Sequence, residues 1–96
     1  MKILAIGDIV GESGTNYVRV NLPTIIKDLK VDMVIENGEN AAKGNGLDID
    51  TAEILFSAGV DVITSGNHIW NKFEMPKRID DYANILRPAN YPGDCP

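Results

Sequence analysis

Five polar side chains stand directly after short apolar runs: Asp8, the pair Glu39 and Asn40, and the pair Asn67 and His68. Two carboxylates and one or two amide oxygens are hard ligands suited to Mg²⁺ or Mn²⁺, and an imidazole extends the choice to Fe or Zn. A carboxylate bridging two ions holds them ~3.5–4 Å apart, the spacing that clamps the attacking and leaving oxygens in phosphoryl chemistry. Gly7, Gly11, Gly38 and Gly66 flank these positions and would let backbone approach such a site closely. Each residue also has a plainer reading. Asp8 could be a helix cap, Glu36 and Glu39 solvated loop carboxylates, and Asn67 and His68 ordinary turn residues. Their shared placement at three run ends favours a common polar site.

The runs that would position them are Ile3–Ile6, Met33–Ile35 and Val60–Ile63. They are short and nearly continuous, a pattern that suits parallel strands covered on both faces. Helical stretches lie between them, giving an α/β chain in the order β-α-β-α-β-α. Right-handed crossovers bring the carboxyl ends of parallel strands to one sheet edge, and ligands bind outside that edge.

The first helix carries Val18, Leu22, Ile25, Ile26 and Leu29 as one apolar stripe. Pro23 either kinks it or opens a second helix after an Asn21 cap. Asp50 to Glu53 reads as a capping box for the second helix, and Gly59 as its stop. Asn71 to Glu74 reads as a similar box for a third, with Trp70 and Met75 as a hydrophobic staple and Pro76 close to its first turn. Ala83–Leu86 is a short fourth strand, and 87–96, with three prolines and a glycine, is loop.

Composition narrows the classes. Ninety-six residues, 44% hydrophobic and 24% charged, make one globular domain at most. Fourteen acidic residues against nine basic ones leave a net charge of −5 and no basic cluster, which argues against a nonspecific nucleic-acid surface. Cys95 is the single cysteine, so no intramolecular disulfide or thiolate metal cluster forms within the chain. The N-terminal apolar run stops at Gly7 and is too short for a signal core or a membrane span, so a cytoplasmic protein is expected. The glycines after the first strand match neither G-x-G-x-x-G nor a P-loop, and no serine sits in a nucleophile elbow.

Four blocks, in this order, carry a resemblance: Gly7-Asp8-Ile9-Val10-Gly11, Glu36-Asn37-Gly38-Glu39-Asn40-Ala41-Ala42, Gly66-Asn67-His68, and Leu86-Arg87-Pro88-Ala89-Asn90-Tyr91-Pro92. Together they resemble the YmdB-like bacterial metallophosphoesterases over essentially the whole chain. The resemblance implies the N-terminal portion of a calcineurin-like αββα sandwich. It also implies a dinuclear centre, usually Fe or Mn, and hydrolysis of phosphodiesters such as 2′,3′-cyclic nucleotides or an RNA end. Carried over, Asp8 would ligate one metal, Glu39 would bridge both, Asn67 would ligate the other, and Asn40 would lie in the same shell. His68 would contact the substrate phosphate as general acid or electrostatic stabiliser.

The pattern departs in length and in histidines. Members of the family are about two and a half times longer and have three further metal-binding histidines, whereas His68 is the only histidine here. The second sheet is also absent, so one sheet face should be exposed, which invites a partner or self-association. A truncated piece of a phosphodiesterase is therefore expected. The alternatives are a non-catalytic metal- or nucleotide-binding module and a short relative that forms a homo-oligomer.

Overall fold

The computed structural model describes residues 1–42, 46–66, 68, 69, 72 and 75–89, with backbone alone at positions 76 and 77. Four strands, β1 (Ile3–Ile6), β2 (Met33–Asn37), β3 (Val62–Thr64) and β4 (Ile85–Leu86), form one sheet in chain order. Every pair is parallel, with Ile3 opposite Met33, Ile35 opposite Val62 and Ile63 opposite Ile85. The α/β reading holds. The bounds shift slightly: β2 runs on through Glu36 and Asn37, β3 begins after Val60, and β4 keeps only Ile85 and Leu86 of its expected stretch.

Helix α1 (Gly11–Leu29) links β1 to β2, and α2 (Ile49–Ala58) links β2 to β3. Neighbouring strands joined by right-handed crossovers place both helices on one face. The inward residues agree: Val34, Glu36, Ile63 and Ile85 are buried, and Leu4 and Ile6 pack against the same core. The opposite face is open, with Ile3 53% and Leu86 45% exposed and Met33, Ile35 and Val62 only partly covered. Coverage on both faces, the reading from continuous apolar runs, is thus corrected. A run stays apolar here although, among the described residues, helices cover one side alone.

Pro23 lies inside α1, which is a single helix. Its missing N–H is tolerated on the exposed side of the helix, and the Asn21 amide donates to the Tyr17 carbonyl at 2.9 Å rather than capping a new helix. The apolar stripe buries Val18 and Leu22, half-buries Ile25 and Ile26, and leaves Leu29 exposed. Lys30 ends the helix in the left-handed conformation, φ 54°.

The α2 cap differs from the expected box. Asp48 accepts the Thr51 amide at 2.7 Å, two positions ahead of the expected Asp50, while Glu53 accepts the Tyr82 hydroxyl at 2.6 Å instead of reaching back. Gly59 closes the helix at φ 121°, where a Cβ would fall 2.5 Å from Ile26 Cδ1, so glycine is required for both conformation and room. Tyr82 also stacks on Phe56, ring centroids 6.3 Å apart, which ties the chain before β4 to α2. The short helix α3 (Met75–Arg78) and a 3₁₀ turn at Ile79–Asp81 bury Met75 and Ile79. Position 76 falls in the first turn of α3. Trp70, Asn71 and Glu74, expected in that helix's cap and staple, lie outside the described residues, as do 90–96.

Candidate metal and phosphoester site

The polar segments that follow β1, β2 and β3 meet at one edge of the sheet. Main-chain bonds fasten them: Ile9 N–H donates to the Asn37 carbonyl at 3.3 Å, Gly11 to Asn40 at 2.9 Å, and Gly38 to Thr64 at 2.9 Å. The Thr15 hydroxyl, buried on α1, donates to the Ala41 carbonyl at 3.1 Å and pins the far side of the same loop.

Asp8 does not cap α1. Val10 occupies the cap position without a side-chain bond, and both Asp8 oxygens instead accept from Asn40 Nδ2 at 3.2 and 3.1 Å. This carboxylate is exposed and borders a surface hollow of about 490 Å³ lined by Gly7, Val10, Ser13 and Tyr17.

Glu39 is directed elsewhere. Its amide donates to Asn37 Oδ1 at 3.1 Å, and its Oε2 lies 3.4 Å from the His68 backbone N–H and 3.8 Å from His68 Nδ1. Gly66 makes this possible. A Cβ there would meet the Glu39 carboxylate, with Glu39 Cδ at 2.6 Å. Gly38 likewise admits Ile63 Cγ2, which would stand 2.7 Å from an added Cβ. The glycines therefore act unevenly. Gly66 and Gly38 permit close approach, Gly11 supplies a left-handed turn at φ 67°, and Gly7 has nothing within 4 Å.

His68 Nδ1 is buried without a hydrogen-bond partner, 3.8 Å from the Glu39 carboxylate. That unpartnered nitrogen and its neighbours fit a hard or borderline cation in kind. In number they do not close a coordination sphere: among the described residues no three of His, Cys, Asp and Glu gather around one point. The edge thus forms two pairs, Asp8 with Asn40 and Glu39 with His68. Asn67, the remaining expected ligand, lies outside the described residues.

Glu36 is the residue that sequence reading misplaced. It belongs to β2, not to the loop, and is 0% exposed with both carboxylate oxygens unpartnered. Burial pushes its carboxyl up to about 8. Strand parity was the available signal, because Glu36 lies two positions from Val34 and shares its inward face.

Known proteins resemble this chain in sequence and in fold. The chain is 45% identical over 96 residues to a 2′,3′-cyclic-nucleotide 2′-phosphodiesterase of Bacillus subtilis, covering all of this chain and 36% of that protein. It is 34% identical over 90 residues to a putative phosphatase/phosphodiesterase of Mycoplasma genitalium, covering 94% of this chain and 32% of the other. Among solved structures, a hypothetical protein from Thermus thermophilus superposes with a TM-score of 0.90 at 43% identity, over 100% of this chain and 37% of that one. A phosphatase from Mycoplasma pneumoniae gives 0.89 at 34% identity, over 96% and 33%. The chain spans about a third of the length of the curated relatives it matches. A family model described as YmdB-like protein matches residues 4–96, and the chain belongs to that family.

Proposed function

We propose that the chain contributes Asp8, Glu39, Asn40, Asn67 and His68 to a two-metal phosphodiesterase site acting on 2′,3′-cyclic nucleotides or similar RNA-end diesters. The observation that supports this most is Glu39, whose carboxylate lies between Gly66 and His68 where a Cβ on Gly66 would displace it. Asp8 and Asn40 would hold one ion, Glu39 would bridge, and Asn67 would hold the other, with Fe or Mn the expected metals and Mg or Zn the alternatives. Bound there, the ions would supply Lewis-acid activation of water and of the phosphoryl group.

The protein's own part is orientation and proton handling. Asn40, bonded to Asp8, fixes the first carboxylate relative to the β2 loop. Glu39 fixes the His68 segment through its backbone N–H, setting that imidazole where it can give a proton to the leaving oxygen. The name of the Bacillus subtilis relative, a 2′,3′-cyclic-nucleotide 2′-phosphodiesterase, supports this substrate class. The single cysteine suits the cytoplasm, where thiols stay reduced.

Mn²⁺-dependent hydrolysis of 2′,3′-cAMP, assayed with Asp8→Asn and Glu39→Gln, tests the proposal. Turnover that both variants abolish is expected, and turnover unchanged in both overturns the site. A second reading, a non-catalytic binding module, is favoured by the absence of three converging ligand side chains among the described residues. Equilibrium dialysis separates the two, because tight binding of two Mn²⁺ per monomer argues against the module.

A further inference from the structure

Glu36 takes no part in the chemistry above, yet among the described residues it is a fully buried carboxylate, 0% exposed. The flanking strands bring Ile6 and Ile63 to its sides, and both carboxylate oxygens are buried and unpartnered. The carboxyl lies beneath the turn that leads to Glu39. A Cβ built on Gly38 falls 3.7 Å from Glu36 Oε1, 3.6 Å from Leu47 Cδ1 and 2.7 Å from Ile63 Cγ2. An apolar side chain would fill such a box without the cost of two orphan oxygens.

We propose that Glu36 is a positioning residue that keeps the loop carrying Glu39 and Asn40 seated on the sheet only while its carboxyl is neutral. In the ionised form the box offers the charge no partner among the described residues. The inward residues of α1, Thr15, Val18 and Leu22, are uncharged, and the Thr15 hydroxyl is already given to Ala41. Those of α2, Ile49, Ala52 and Leu55, are apolar. The titratable groups on the packed elements lie outward or are engaged: Glu12, Tyr17, Arg19, Lys27 and Asp28 on α1, Asp50 and Glu53 on α2, Asp48 at its cap, Asp8 after β1, and Glu39 beside His68 on the loops after β2 and β3. None of them hydrogen-bonds Glu36. Relief comes by lifting the turn at Gly38 and admitting water, and that motion carries Glu39 with it.

The sign follows from linkage. The folded carboxyl holds its proton up to about 8, whereas the unfolded one releases it near 4.5. The folded state therefore binds more protons between those values. The contribution of Glu36 to stability is thus full below the lower value and is lost as pH rises through the upper one.

The experiment uses the unmodified chain and Glu36→Gln, which is neutral at every pH. Titrating ¹³C-labelled glutamate carboxyls by NMR should give one midpoint far above the rest. Amide-exchange protection at residues 38–42 should fall more than tenfold from pH 6 to pH 9 in the unmodified chain and hold steady in E36Q. A Glu36 midpoint near 4.5, or an equal loss of protection in E36Q, overturns the proposal. If E36Q does not fold, the titration and exchange of the unmodified chain decide. The link to catalysis rests on Glu39 and Asn40 being ligands. A proton-dependent loop in a chain that binds no Mn²⁺ would leave this inference standing and remove that reading.

Discussion

Val62 and Ile63 are adjacent in sequence and lie on opposite faces of the same sheet, and the two faces meet different surroundings. Ile63, fully buried, joins Val34, Leu55 and Ile85 beneath the helices. Val62 lies with Ile3, Met33 and Ile35 on the face that no helix among the described residues covers. Both faces are written in the same largely β-branched vocabulary, so composition alone does not distinguish them. The difference teaches that an apolar strand face records what the fold is built to cover, and that the described residues supply that coverage on one side.

The sharpest way to break this comparison is a matched pair of truncations. Ile63→Ala should cost ~2–5 kcal/mol in urea unfolding, whereas Ile35→Ala should cost about 1 or less. Equal losses would mean that the open face is packed in solution, by a second copy or another partner, and sedimentation would identify which. A finer version exchanges a methyl for a hydroxyl. Val34→Thr should cost ~1–3 kcal/mol, since it puts a hydroxyl into the apolar core, and Val62→Thr should stay within ~0.5 kcal/mol. The smallest effect concerns the covering layer itself. Asp48→Ala removes the α2 cap and should lower stability by ~1 kcal/mol while leaving the open face unchanged.

Much of this was readable in the residues. Three apolar runs with helical stretches between them specify a parallel α/β sheet, and polar residues at the run ends specify an edge where they meet. What was not readable is local competition. Asp48 outcompetes Asp50 as the α2 cap because helix entry is settled by where the extended backbone ends, which composition leaves open by a residue or two. Glu36 looked like one of several loop carboxylates because a strand's end is invisible when polar residues begin before it stops. Glu39 was expected at the site from its place after a strand, but its seat against Gly66 depends on two loops meeting, and no spacing within one segment encodes that.

The strand order has a consequence in time as well as in space. Each strand lies beside the one made just before it, so paired residues such as Ile3 and Met33, Ile35 and Val62, and Ile63 and Ile85 are never more than 30 positions apart. No strand has to be threaded between two that are already docked. The sheet can therefore grow by addition at one edge as the chain leaves the ribosome, each βα unit finding its template already in place.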